Sequence, residues 1–150
     1  MKKKIQHKHI TDAKAFAQKP DFKFKFDGYD AIRPELIETF AYETPGQPQE
    51  IVVSTEEFTA VCPWSGLPDF ARIIVTYVPR QKIIELRSYK YYLYSYRNVG
   101  IFQEHLTPRL LQDLVAACEP ERMTVKTDYN IRGGIHTVCE ATYAGKSKRR

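Results

Sequence analysis

One thiol and one carboxylate lie seven residues apart in a segment that cannot form regular secondary structure. Cys62 and Asp69 are separated by two prolines and a glycine in the run VCPWSGLPDF, residues 61–70. Proline removes a backbone donor and glycine favours turns, so this run predicts a shaped loop that can present functional side chains. A thiolate is a strong nucleophile and a carboxyl group can transfer a proton, so the pair suits covalent chemistry on an electrophile.

Each of these side chains also has a commoner structural use. A free cysteine is most often a small buried hydrophobe, and an aspartate near Pro and Gly often caps a turn. Two further carboxylates favour a functional interpretation. Glu85 lies in an apolar predicted strand, where an unpaired charge is costly, and Glu104 lies at the start of a predicted helix. Such a carboxylate can pair with the adjacent N–H donors of a guanine-like ring.

Other classes of site lack their sequence signatures. The chain contains no Gly-rich dinucleotide or phosphate loop and no Gly-x-Ser-x-Gly elbow. It has no Cys-x-x-Cys and no pair of histidines at i, i+4, so a zinc site built from Cys62, His105 and Cys118 has no support from spacing. We therefore predict no metal, and a nucleotide cofactor would need a binding site of another kind.

Composition predicts one cytoplasmic domain with basic ends. The 150 residues are 43% hydrophobic, which suffices for one core. We see no membrane span or secretory segment, and three widely spaced cysteines indicate free thiols. Residues 1–10 and 146–150 each carry four basic groups, whereas 11–145 holds 15 basic and 18 acidic residues. Short basic tails are usually solvated, so we expect no direct nucleic-acid partner and no membrane partner.

The hydrophobic pattern predicts strands before and after a helical region. Runs rich in Ile, Val, Thr and Tyr alternate as strands do, and Arg132-Gly133-Gly134 has the composition of a turn between two of them. The predicted strands run from Ile51 toward Phe58, over 71–78 and 82–86 as an antiparallel pair, and over 122–130 and 135–143.

Two helices are predicted between these strands. The first has Tyr89, Tyr92, Leu93 and Tyr96 at i, i+3, i+4 and i+7, although the alternating Tyr92, Tyr94 and Tyr96 also fit a strand.

The second helix is predicted with Thr107 as its cap and Pro108 in its first turn, and with an apolar face that runs to Cys118. Cys118 and Cys139 are expected in the core. The order of strands, helices and strands predicts an α+β fold with an antiparallel sheet.

Four ordered motifs lie between about Leu36 and Tyr143. They are CPWSGLPDF at 62–70, ELRSYKYY at 85–92, SYRN and GIFQE at 95–98 and 100–104, and NIRGGI at 130–135. Together they resemble the single-domain QueF family, the NADPH-dependent 7-cyano-7-deazaguanine reductases of queuosine biosynthesis, a tRNA-modification pathway.

The resemblance implies a reaction and a set of site residues. Cys62 would add to the nitrile carbon to give a covalent thioimide, with Asp69 as proton donor. Two NADPH would then reduce 7-cyano-7-deazaguanine to 7-aminomethyl-7-deazaguanine. The implied substrate contacts are Ile84, Glu85, Leu86, Gln103 and Glu104, and the implied cofactor contacts are Arg87 and Lys90.

The resemblance also implies a fold and an assembly. Family members have the tunnelling fold, an antiparallel sheet with two helices packed on one face. Their subunits close an oligomeric barrel, often as two stacked pentamers, with active sites at subunit interfaces, so we expect a homo-oligomer such as a decamer. We divide the chain into a partly disordered N-terminal extension (1–35), the reductase domain (36–145) and a basic tail (146–150).

Two positions depart from the family pattern, and two other functions stay open. Arg87 stands where Lys is usual, and Gln103 stands where many members have His. An amide does not titrate near neutral pH, so Gln103 predicts an altered pH dependence. An amidino-forming transferase would use the same nitrile with an amine, and a non-catalytic base- or RNA-binding domain would use the basic tails with Tyr91 or Tyr94.

Overall fold

The computed structural model describes residues 24–145 of the chain. Two short 3₁₀ turns, Tyr29–Ala31 and Pro34–Leu36, precede the regular elements. In chain order these are β1 (Thr39–Ala41), β2 (Ile51–Val61), β3 (Pro68–Val78), β4 (Lys82–Ile84), α1 (Leu86–Tyr94), α2 (Gln103–Cys118), β5 (Arg122–Tyr129) and β6 (Val138–Ala144). A four-stranded antiparallel sheet has the order β2-β3-β5-β6, and β1 pairs antiparallel with β4 in a separate sheet.

The core lies between the helices and one face of the four-stranded sheet. In β3 the buried residues Ile73, Val75 and Tyr77 alternate with less buried ones. The register places each of them opposite an inward residue of β5, as in the pair Val75 and Val125. Helix α2 contacts β5 and β6, and α1 contacts β2. The predicted α+β fold with an antiparallel sheet is therefore confirmed.

The predicted strands are confirmed except near β4 and at the start of the last strand, which begins at Val138 and not at Ile135. β3 does not pair with β4 as expected, because β2 and β5 already occupy both of its edges. β4 also ends at Ile84, so Glu85 is not an unpaired charge within a strand. Its carboxylate instead caps α1 by accepting hydrogen bonds from the backbone N–H groups of Arg87 at 3.0 Å and Ser88 at 2.6 Å.

Both predicted helices are present, but the second begins earlier than expected. Tyr89, Tyr92 and Leu93 on α1 are buried, as the helical spacing predicts. α2 begins at Gln103 because the carbonyl of Phe102 accepts bonds from two following N–H groups. Thr107 therefore does not cap this helix. Its hydroxyl is buried and shares a 2.6 Å hydrogen bond with Thr127 of β5, which joins the helix to the sheet.

The two cysteines expected in the core differ in burial. Cys118 is fully buried at the end of α2, as predicted. Cys139 is only half-buried, so the expectation of a core position is wrong for it. The physical reason is that β6 forms the outer edge of its sheet, where the helices cover the inward face incompletely.

Part of the predicted N-terminal extension packs on the domain. The backbone of Asp27 bonds to Asn98 at 2.7 Å and to Gly100 at 3.0 Å, and Ile32 is buried in the core. Of the N-terminal extension predicted to be partly disordered (1–35), residues 1–23 lie outside the described residues, as does the whole basic tail (146–150). Within 24–145, no helix is long and apolar enough to cross a bilayer.

Candidate active site

A tight loop between β2 and β3 carries the predicted nucleophile. The N–H of Cys62 bonds to the carbonyl of Leu67 at 2.9 Å, and the N–H of Gly66 bonds to the carbonyl of Cys62 at 2.8 Å. Gly66 has a φ of 71°, and a Cβ there would lie 3.1 Å from the Cβ of Phe24, so glycine suits this turn. The predicted loop is thus confirmed for residues 62–67, but Val61 and residues 68–70 are wrongly predicted as irregular, because they pair in the ladder of β2 and β3. The loop places Cys62 near Asp69 at the start of β3.

Backbone hydrogen bonds bring two other segments to this loop. Val61 bonds to the carbonyl of Val99 at 3.0 Å and its own carbonyl accepts from Ile101 at 3.0 Å, which places the start of α2 beside Cys62. The N–H of Asn130 bonds to the carbonyl of Phe70 at 2.9 Å, which places the β5–β6 hairpin beside Asp69. Residues from three distant parts of the sequence therefore meet at one place.

These segments line an open cavity of about 260 Å³, large enough for part of a small heterocycle. It is lined by the predicted site residues Cys62, Asp69, Gln103 and Glu104, together with Pro63, Phe102, Asn130, Arg132, Ile135 and Thr137.

Polar neighbours favour the ionised form of the Cys62 thiol. Partial burial opposes ionisation, but the hydroxyl and N–H of Ser65, the N–H of Trp64 and the guanidinium of Arg132 outweigh it and lower the pKa of the thiol. A lowered pKa increases the thiolate fraction at neutral pH, and thiolate is the nucleophilic form. Cys118, by contrast, is an inert buried thiol, because desolvation raises its pKa to about 11.

Asp69 is almost fully buried and forms an ion pair. Its side chain is 5% exposed, and Oδ1 accepts a hydrogen bond from Nη1 of Arg132, whose side chain is 43% exposed. The same guanidinium lines the cavity together with Cys62 and lowers the pKa of its thiol. Arg132 therefore pairs with one member of the predicted catalytic pair and lies in the same cavity as the other.

The other predicted contacts lie apart from this cavity. Ile84 is buried in the core, where its N–H donates to the phenol oxygen of Tyr77 at 3.2 Å. Glu85 caps α1. Its carboxylate accepts hydrogen bonds from the backbone N–H groups of Ser88 and Arg87, and these bonds lower its pKa, with the larger effect from Ser88. Within one copy of the chain, none of the predicted contacts Ile84, Glu85, Leu86, Arg87 and Lys90 lines the cavity that holds Cys62.

Arg87 and Lys90 lie on the exposed surface of α1. Lys90 pairs with Glu57 at 3.0 Å, and this pairing raises the pKa of the ammonium group. Within residues 24–145, Arg87 has no ion-pair partner. The two cations are three residues apart on one side of the helix, an arrangement that can bind phosphate groups.

Arg132 is a candidate site residue that was not predicted from the sequence. The Arg132-Gly133-Gly134 segment predicts a turn, but not that the arginine side chain folds back onto β3. Gly133 and Gly134 have φ values of 57° and 77°, and Arg132 and Ile135 exchange backbone hydrogen bonds at 3.0 and 2.9 Å. The signal that could have identified it is a cation placed directly before a two-glycine hairpin turn, because such a turn sets the direction of its neighbours.

Large apolar side chains on the segments that form the cavity stay exposed in a single copy, and Phe102 and Ile135 among them line it. The exposed fractions are 90% for Trp64 and 72% for Ile135. We call the set the apolar rim, and it consists of Trp64, Leu67, Phe102, Ile131 and Ile135. Several large exposed apolar side chains on the segments that form one cavity favour an interaction site there. Within the described residues, no group of three His, Cys, Asp or Glu side chains could hold a metal ion.

Comparisons with known proteins agree on one family. The sequence matches the family described as QueF-like protein over residues 68–148. An NADPH-dependent 7-cyano-7-deazaguanine reductase from Caldicellulosiruptor bescii is 49% identical over 121 residues, 81% of this chain and 92% of that protein. The reductase of the same name from Chlorobaculum tepidum is 52% identical over 117 residues, 78% of this chain and 99% of that protein.

A solved structure has a similar fold. The crystal structure of the archaeosine synthase QueF-Like in the apo form has a TM-score of 0.62 and 27% sequence identity, and the match covers 67% of this chain and 99% of that chain. The segment matched to the family, 68–148, contains every residue that lines the cavity except Cys62 and Pro63.

Proposed function

This chain belongs to the QueF family, and from that membership and the cavity at Cys62 we propose that it is an NADPH-dependent nitrile reductase. Its substrate is 7-cyano-7-deazaguanine and its product is 7-aminomethyl-7-deazaguanine, in queuosine biosynthesis. Two NADPH are consumed per product, through a thioimide on Cys62. The observation that carries this proposal is the meeting of Cys62, Asp69 and Glu104 in one cavity.

The proposed first step forms one bond and moves one proton. The sulfur of Cys62 attacks the nitrile carbon, a C–S bond forms, and one π bond of the nitrile breaks toward nitrogen. Asp69 accepts the thiol proton and delivers it to that nitrogen. Thiol and nitrile thereby become a neutral thioimide with no net proton uptake, and the lowered pKa of Cys62 supports the attack.

Glu104 and Gln103 are the proposed anchors of the deazaguanine ring. Both lie in the first turn of α2 and line the cavity. A carboxylate can accept two hydrogen bonds from adjacent ring N–H groups, and the Gln amide can donate and accept. Since Ile84, Glu85 and Leu86 lie apart from this cavity, we propose that they contact substrate bound to a neighbouring copy.

We propose that the active protein is a homo-oligomer with the tunnelling fold. The exposed apolar rim supports this assembly, since a second copy that covers it would also exclude water from the cavity. Exclusion matters because water hydrolyses the imine formed after the first reduction. The barrel and its subunit number, such as a decamer, are part of the same proposal.

Arg87 and Lys90 fit the phosphates of NADPH, since both are exposed cations on one side of α1. Arg87 has no competing ion pair in the described chain, whereas Lys90 would exchange Glu57 for a phosphate. When bound, NADPH supplies the hydride for each reduction.

A stoichiometry measurement tests the proposal. Purified protein with the nitrile should oxidise two NADPH for each aminomethyl product detected by mass spectrometry. Cys62→Ala should abolish turnover, whereas Cys139→Ala, which changes a half-buried thiol outside the cavity, should retain it. Folded wild-type protein that oxidises no NADPH would refute the proposal.

An amidino-forming transferase is the second candidate, because the similar solved structure is an archaeosine synthase QueF-Like. Such an enzyme would share the thioimide but resolve it with an amine instead of hydride. Turnover of the nitrile with ammonia and without NADPH would favour it.

A further inference from the structure

The turn between β5 and β6 holds Arg132 in a defined direction. Its backbone exchanges two hydrogen bonds with Ile135 across the glycine pair. The adjacent bond from Asn130 to Phe70 fastens the base of this hairpin to β3, one residue from Asp69. The guanidinium thus reaches a carboxylate 63 residues away in sequence through a short and constrained connection.

Charge in the cavity is poorly balanced without this arginine. The groups that face Cys62 from the surrounding segments are Asp69 from β3, Glu104 from α2 and Arg132 from the β5–β6 hairpin. Arg132 is the one cation among the described residues that line the cavity, against two carboxylates and a thiol. Formation of a thiolate adds a further negative charge there, and a fixed guanidinium donor can stabilise it.

We propose that Arg132 is a catalytic residue that holds the Cys62 sulfur as a thiolate and orients Asp69 beside it. This rests on the proposed function for its reaction steps. In the attack, the Cys62 thiol gives its proton to Asp69, the sulfur electrons form the C–S bond as one π bond of the nitrile breaks toward nitrogen, and Asp69 passes that proton to the nitrogen. When the C–S bond later breaks, the nitrogen lone pair forms the C=N bond of the imine, the C–S electron pair returns to sulfur, and Arg132 stabilises the departing thiolate in the same way.

Alkylation of Cys62 by iodoacetamide tests this assignment without nitrile or NADPH. The rate is measured against pH for wild type, Arg132→Gln and Arg132→Lys, with Cys62 labelling quantified by peptide mass spectrometry. Arg132→Gln should raise the apparent thiol pKa and thereby lower the alkylation rate at neutral pH about tenfold. Arg132→Lys keeps the positive charge but loses the planar set of guanidinium N–H donors, so its alkylation rate should lie between those of wild type and Arg132→Gln.

Arg72→Gln is the matched control. Arg72 lies on the opposite face of β3, 3.9 Å from Glu56, so its loss should leave the alkylation profile unchanged. The side chain of Arg132 is 43% exposed, so its variants should fold, which circular dichroism checks. If Arg132→Gln misfolds, Arg132→Lys alone provides the test. An alkylation rate below wild type supports the assignment, and a rate equal to wild type overturns it.

The assignment is overturned if folded Arg132 variants alkylate with the wild-type rate and pH profile. Because the assay contains no substrate, this outcome is distinct from a failure of the proposed function. If nitrile reduction is confirmed, the same variants should also slow thioimide formation in a single turnover, with kcat reduced more than the KM for the nitrile is raised.

Discussion

Substitution of Asp69 by Asn should separate its chemical role from its structural one. The change removes the proton-transferring group and keeps nearly the same shape. The structural cost should be small, because the partner left behind, Arg132, is 43% exposed and water can solvate it. We expect the free energy of unfolding to fall by about 1 kcal/mol, which is a small part of the roughly 5–15 kcal/mol that stabilises a typical domain.

The expected effect on the reaction is larger. Proton transfer by a positioned side chain contributes about 10²–10⁴-fold to rate, which corresponds to about 3–5 kcal/mol of activation free energy. Turnover measured by NADPH oxidation should fall by that factor, while binding of the nitrile, measured by calorimetry, should change little. A stability loss of about 1 kcal/mol cannot produce such a rate effect.

Asp128→Asn is the control for this substitution. Asp128 lies on β5 and contacts His136 at 2.7 Å, outside the cavity, so its loss should leave turnover within about twofold of wild type. If folded Asp69→Asn protein turns over within threefold of wild type, Asp69 does not transfer the proton and the proposed first step is wrong.

Three further substitutions test other parts of the account. Glu104→Gln should weaken nitrile binding about 10- to 100-fold in calorimetry, since a hydrogen bond to a charged group contributes about 1.5–3 kcal/mol, and unchanged affinity would exclude Glu104 as the ring anchor. Gln103→His should add a limb near pH 6–7 to the rate profile, because imidazole titrates there and an amide does not; a superimposable profile would contradict this. Thr107→Val should lower the free energy of unfolding in urea by about 1–3 kcal/mol, because it leaves the Thr127 hydroxyl buried and unpaired, and the double Val variant should recover part of the loss.

Local signals allowed much of the fold to be predicted from sequence. The loop at 62–67 and the two-glycine turn depend on Pro and Gly preferences that act within a few residues. The helical spacing of Tyr89, Tyr92 and Leu93 was sufficient to predict α1 and its buried face, because burial of one helix face imposes that period.

Features that depend on distant partners could not be predicted. Which strands flank β3 is decided by pairing across the whole domain, so β4 was wrongly paired with it. The apolar neighbours of Glu85 predict a strand there. The backbone N–H groups that its carboxylate accepts from become available only at the first turn of α1, which the apolar pattern does not locate. The position of Arg132 before a two-glycine turn is visible in sequence, but its partner Asp69 lies 63 residues away and is not specified by that local pattern.

The most direct test of the central claim is the intact mass of the protein after exposure to 7-cyano-7-deazaguanine without NADPH. A covalent thioimide predicts one adduct per chain that equals the whole mass of the nitrile, because addition expels no atom. The adduct should be absent in Cys62→Ala and present in Cys139→Ala. Folded wild-type protein with no adduct, or an adduct that persists in Cys62→Ala, would contradict the assignment of Cys62 as the nucleophile.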